Sequence, residues 1–309
     1  MEGSKISEKT LGFIYGLLAF TAWGFLPLYW KMLNQIPAGE ILAHRVLWSF
    51  VFMTGIIMVL KKLGSLKQYL LEKKKLVVIV ICSLLISINW FTFIWAVNSN
   101  YVIEASMGYY ILPIVSVFLG VAFLKERITL WQCLAVGMAL IGILIITVEY
   151  GRVPWVALVL AVSFGLYGLA KKLLKAEPIF GLVLETAIIT PVAIGYIIFK
   201  QFQGVGALGE ASLAVTLLLI GAGVATATPL LWFAESAKRI ELSTIGFMEY
   251  IAPTISLFLG IFVFKEDFTK IHFISFSFIW IAIAIYSFAK YSAFRRIEQL
   301  QSKDKVLQS

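Results

Sequence analysis

Five polar side chains interrupt the apolar runs of this sequence: His44, Arg45, Asn89, Glu185 and Glu249. A charge at the centre of a membrane-spanning helix costs about 2.5 to 3.5 kcal/mol on insertion scales, so such groups usually face a cavity or a partner. Glu249 could take up and release a proton inside a cavity, or accept hydrogen bonds from a Tyr or Ser on a neighbouring helix. Glu185 and His44 face the same choice, with helix-to-helix bonding the more economical role. Arg45 could present its guanidinium to a solute carboxylate or extend toward water. The aromatic residues Trp23, Trp90, Tyr110, Tyr167 and Tyr250 offer flat faces that could sandwich an aromatic or cationic solute, against ordinary packing for any one of them. With Asn89 they form the candidate substrate-binding set. Trp30 and Trp155, near the ends of apolar runs, read as interfacial belt residues.

Other chemistries find little support. The two aspartates, Asp267 and Asp304, lie outside the apolar runs, the histidines are His44 and His272, and no HExxH, GxSxG or phosphate-binding loop occurs. Catalysis needs convergent groups, so the chain reads as no enzyme, with no cofactor and no metal. Cys82 and Cys133 match neither a metal spacing nor a disulfide framework.

The elements that must position these residues are transmembrane helices. Hydrophobic residues make up 61% and charged residues 14% of the 309 positions, and mean hydropathy is +0.93. A span needs about 20 apolar residues to cross a core of roughly 30 Å. Runs of that length predict ten spans, near 11–33, 38–60, 76–97, 102–124, 129–148, 153–170, 178–199, 212–235, 242–264 and 269–289. The first run carries Trp23, Pro27 and Trp30 instead of a small-residue cleavage site and is expected to be retained. The net charge of +9 is spread in short clusters between runs, which excludes nucleic acid as a partner and leaves the lipid bilayer and a small-molecule substrate. Placing the N-terminus in the cytoplasm puts twenty Lys and Arg inside, Lys171 and Lys172 among them, against five outside. That bias predicts cytoplasmic N- and C-termini and a multi-pass protein of the cell membrane. The oligomeric state is not readable.

An internal repeat organises the spans. At an offset of 140, Tyr110–Thr129 lies over Tyr250–Thr269 with ten identities in twenty positions, including Pro113 on Pro253, Ser116 on Ser256, Lys125 on Lys265 and Glu126 on Glu266. An offset of 141 sets Gly24 on Gly165, Lys31 on Lys172 and Pro37 on Pro178. Each half then holds five spans, and an odd number forces the second half into the membrane upside down. The expected divisions are a 1–10 N-terminus, repeats at 11–148 and 153–290, and a 291–309 tail. Pro113 and Pro253 would interrupt the central helices and free backbone carbonyls.

The segments Trp23–Leu33 (WGFLPLYWKML), Pro37–Ser49 (PAGEILAHRVLWS), Glu104–Pro113 (EASMGYYILP) with its Lys125-Glu126 ending, and Ala237–Thr254 (AKRIELSTIGFMEYIAPT) resemble the RarD-type group of EamA transporters in the drug/metabolite transporter superfamily. The resemblance covers roughly 11–290. It implies an all-α integral membrane fold of ten helices in two inverted repeats, a central cavity lined mainly by spans 1, 3, 4, 6, 8 and 9, and a permease without an implied substrate. Glu249 departs from the pattern, where Gln is expected. Alternating access by a secondary transporter fits best, a passive channel or scramblase being the alternative.

Overall fold

The computed structural model describes residues 7–99, 101–151, 153–174, 177–265 and 269–307. Glu266 and Asp267, named above, lie outside the described residues, as do the side chain of Glu104 and three of the counted cations, Lys5, Arg152 and Lys175. All described regular elements are helices, and ten of them are long and apolar enough to cross a membrane. In hydrocarbon a helix satisfies its backbone within one segment, which is why prolines at 27, 191 and 229 are tolerated inside spans.

The first half comprises α1 (Glu8–Lys31), α2 (Ala38–Val59), a short α3 (Leu63–Leu71), α4 (Lys73–Asn98), α5 (Val102–Leu124) and α6 (Leu130–Tyr150). The second comprises α7 (Trp155–Leu174), α8 (Pro178–Phe202), a single turn α9 (Ala207–Glu210), α10 (Leu213–Arg239), α11 (Leu242–Met248), α12 (Ile251–Phe258) with a π-helical stretch Leu259–Phe264, and α13 (Lys270–Leu307). Side-chain caps fix several starts: Ser7 accepts from Thr10 N–H, Ser212 from Val215 N–H, and Thr129 forms a reciprocal capping box with Gln132. Thr269 and His272 repeat that box at the start of α13. Lys125 and Lys265 end their helices in the left-handed region at φ 55° and 60°, so the two sequence repeats share their start and stop devices.

Packing follows the repeat as well. If spans are counted in chain order, exchanging each with the one five places away turns the α1–α10 contact into α4–α7, α5–α7 into α1–α12, and α2–α10 into α4–α8, and all of these contacts are present. The remaining large contacts, α2–α8, α5–α11 and α6–α13, map onto themselves. Among the described residues α6 and α13 pack chiefly on each other.

Three expectations change. The sixth span runs to Leu174, past Lys171 and Lys172, because Lys171 is buried against an internal carboxylate and does not mark a boundary. It therefore leaves the interfacial cations. The ninth span, Leu242–Phe264, is interrupted in its helical hydrogen bonding at Glu249 and Tyr250, between α11 and α12, although both residues keep right-handed helical dihedrals. Pro253 explains the break, since it has no N–H for the Glu249 carbonyl four residues earlier. Its repeat partner Pro113 sits inside the unbroken α5.

Candidate functional site

Ten spans put both termini on one face, and the interior divides between that face and the opposite one. On the terminus-bearing side the centre is filled by rings. Phe20 and Trp23 of α1, Phe164 and Tyr167 of α7 and Phe233 of α10 pack with centroids 5.4 to 6.2 Å apart. Tyr167 and Phe233 are fully buried and stacked. Two of the candidate binding aromatics, Trp23 and Tyr167, are thus members of this ring cluster, Tyr167 fully buried and Trp23 half-buried.

Below Tyr167 its hydroxyl donates to Glu185 Oε2 at 3.1 Å, while Lys171 Nζ reaches Oε1 at 2.7 Å. Both charged side chains are 2% exposed. Ser83 donates to the Glu185 backbone carbonyl, so α4, α7 and α8 are tied at one point. Sequence reasoning found the acid and missed its base. The signal was available, because Tyr167 and Lys171 are four apart and share a helix face.

Glu249 occupies the break in the ninth span and is 3% exposed. Ser116 of α5 donates to its carboxylate at 2.8 and 3.1 Å, and among the described residues no cation pairs with it. Tyr250, next in the chain, is buried, and its hydroxyl points at the Tyr110 carbonyl at 3.4 Å. Gly246 makes this crossing possible, since a Cβ there would come within 2.8 Å of the Pro113 carbonyl oxygen. Glu249, Tyr250, Tyr110 and Pro113 are therefore brought together at the contact of α5 with α11, and Pro253 follows it.

On the opposite side the interior carries a cation. Arg45, about 10 Å along α2 from its start, donates through Nε to Thr226 Oγ1 of α10 at 2.9 Å. Its guanidinium lies over the Trp30 ring at 4.6 Å and the Trp90 ring at 5.5 Å. Trp30, read from sequence as a belt residue, is thus also a neighbour of Arg45. Tyr109 of α5 lies within electrostatic reach of Arg45, and its side chain is 48% exposed. Asn89 faces elsewhere, donating to Leu160 O and Ser163 Oγ to hold α4 against α7. Thr226 and Tyr109 were not singled out by sequence; as residues of ordinary type in apolar runs they carry no distinguishing signal.

His44 is buried with its Nδ1 accepting from Trp48 Nε1 at 3.3 Å, one turn after Glu40, whose Oε1 accepts the Ala207 N–H at 2.6 Å. His44 and Glu40 therefore serve the α2 side of the bundle and the connection carrying α9. Trp155 stands with Trp95 at 5.3 Å between centroids, at the end of α7 on this face.

The EamA-like transporter family profile matches residues 10–148. The chain is 47% identical to the uncharacterized transporter YojE of Bacillus subtilis (strain 168), over 92% of this chain and 96% of that one. It is 39% identical to RarD of Escherichia coli (strain K12) over 89% of this chain and 93% of that protein. With RarD of Streptomyces exfoliatus it shares 38% identity over 90% and 89%. A crystal structure of a protein 17% identical, covering 93% of this chain and 98% of the other, superposes with a TM-score of 0.69 and shares the fold. With identity at this level across nearly its whole length, the chain belongs to the EamA-like transporter family, among its RarD-type members.

Proposed function

We propose that this protein is a secondary transporter of a small organic solute in the cell membrane, working by alternating access between two inverted five-helix halves at 11–148 and 153–290, with both termini cytoplasmic. Membership of a transporter family supports transport itself. The observation that carries the mechanism is the asymmetry of the interior. Rings pack together on one side of the centre, whereas on the other Arg45 has no carboxylate partner among the described residues and the Tyr109 side chain is 48% exposed. Helix contacts that exchange in pairs between the halves are what a protein needs to occupy a second, mirrored arrangement at similar free energy. Glu249 is the coupling residue in this reading. Its carboxylate sits at the crossing of α5 with α11, where the two halves must slide, and is held by one neutral donor. Uptake or release of a proton there would be felt directly by that crossing.

Reconstitution into liposomes tests the reading. Preloading with unlabelled solute should accelerate entry of the labelled compound and saturate with concentration, the signature of a carrier. Flux that rises linearly with concentration and shows no exchange would make the protein a channel and end the alternating-access interpretation.

A further inference from the structure

The guanidinium of Arg45 is a binding group without a protein partner. Arginine has five N–H donors in a rigid fork. Only Nε is engaged, by Thr226, and among the described residues no carboxylate pairs with this cation. Its terminal nitrogens make no hydrogen bond among the described residues and are not among the fully sealed polar atoms, so they remain accessible. Buried arginines kept for structure are normally closed by an acid, as Lys171 is by Glu185 in this same protein. Arg45 is instead held by two rings and a hydroxyl: its guanidinium carbon lies over Trp30 and Trp90 at 4.6 and 5.5 Å from their centroids, and Thr226 accepts from Nε. This leaves the in-plane edge as the part available to a ligand.

We infer that Arg45, flanked by Trp30 and Trp90 and steadied by Thr226, binds the carboxylate of an organic anion whose apolar or aromatic body rests against Tyr109. This assignment rests on the transporter reading and names its substrate class. One guanidinium edge matches one carboxylate bidentately. A phosphate dianion would leave charge over, and among the described residues no second cation stands beside Arg45 to take it. The exposed Tyr109 ring, with Phe93 edge-on at 6.3 Å, supplies the flat surface that an aryl group prefers. A cationic solute is disfavoured by the same guanidinium, although the aromatic residues alone would have accepted it.

Binding and transport are measured separately. Purified protein in detergent is tested for direct binding of radiolabelled phenylacetate and indole-3-acetate, with phenylacetamide and phenethylamine as neutral and cationic counterparts of similar shape. The carboxylates should bind saturably, and the amide and amine at least about tenfold more weakly, about 1.4 kcal/mol. Arg45→Gln should abolish carboxylate binding. Arg45→Lys, which keeps the charge but loses the fork and the stacking, should weaken it about tenfold, and Trp90→Leu should weaken it while preserving the preference for anions. Size-exclusion behaviour and thermal unfolding establish that each variant is folded. If Arg45→Gln fails to fold, the carboxylate-to-amide ratio of the unmodified protein and the Arg45→Lys result decide. No carboxylate binding up to millimolar concentration, equal binding of the amide, or carboxylate binding untouched by Arg45→Gln would overturn the assignment. Saturable uptake of other solutes in that case would leave the transporter reading standing. Carboxylate binding to Arg45 with no uptake or exchange in liposomes would do the reverse.

Discussion

The hydroxyl of Ser116 in α5 lies 2.8 and 3.1 Å from the two carboxylate oxygens of Glu249, so one donor serves an acid buried between the two repeats. Tyr250 is the neighbouring titratable group on its own element and Tyr110 the one facing it from α5, and neither brings a positive charge. If Glu249 carries the proton, Glu249→Gln keeps the shape and hydrogen bonding of the protonated acid while removing its titration. Uptake driven by a pH gradient should then fall at least about tenfold, the equivalent of 1.4 kcal/mol, while solute exchange without a gradient continues near the original rate. A pH response in the variant identical to that of the unmodified protein would exclude Glu249 as the coupling group.

The Lys171–Glu185 pair predicts a different pattern. Both side chains are sealed from water, so removing one partner strands the other in low dielectric. Lys171→Met should destabilise the protein by about 3 to 5 kcal/mol, visible as a large drop in thermal unfolding temperature in detergent. The double variant Lys171→Met with Glu185→Leu should recover most of that loss, since the apolar residues replace the pair at similar volume. A double variant no more stable than the single would mean that the charges serve something other than each other.

How far the sequence could be read is visible in these same residues. The ten spans, the repeat and the polar positions follow from hydropathy and from Pro, Lys and Glu aligned in register, because lipid imposes one rule on every span. The partners of those positions do not follow. Lys171 resembled an interfacial lysine because a run of cations, Lys171 and Lys172, is the usual end of a span. Its burial is decided by where α8 places Glu185, a long-range contact that hydropathy does not encode. Pro113 and Pro253 are identical in sequence and differ in structure, one inside an unbroken helix and one beside a break. Their difference expresses a conformation in which the two halves are not equivalent. Arg45 was visible as a charge, but its Trp30 neighbour lies at the end of another helix and resembled a belt residue.

The crossing of α2 with α10 depends on Gly223. A Cβ at that position would fall 2.3 Å from the Trp48 carbonyl carbon and 2.6 Å from the Ser49 nitrogen, both backbone atoms that cannot rotate away. Ser49 already donates to the Gly223 carbonyl at 3.1 Å, which fixes the register of the two helices. Gly223→Ala should therefore cost about 1 to 3 kcal/mol through overpacking. Gly55, in the same α2 but with nothing within 4 Å of the added carbon, is the control. Gly55→Ala should leave stability unchanged or raise it by up to about 1 kcal/mol through helix propensity. Equal effects at the two glycines would show that the close crossing is not retained in the membrane.

Glu126 closes the terminus-bearing face by a bond between the halves. Its carboxylate accepts the N–H groups of Leu242 and Ser243 at 2.7 and 2.8 Å, the first two residues of α11, whose donors have no partner within their own helix. The acid is contributed by the end of α5, so the cap fastens one repeat to the other and must release when that face opens. Glu126→Ala removes the cap, worth about 0.5 to 2 kcal/mol by analogy with N-caps. That loss would enlarge the open population up to roughly thirtyfold. A cysteine at Ser243, in a background with Cys82 and Cys133 replaced, reports the opening through its rate of reaction with a membrane-impermeant maleimide. The Glu126→Ala variant should label several-fold faster from the terminus-bearing side, and Glu126→Gln, which keeps an acceptor oxygen, by an intermediate amount. An unchanged rate would mean that the α5–α11 seam stays shut by packing alone, with Gly246 against Pro113 as its fastening, and that α5 and α11 move as one body during transport.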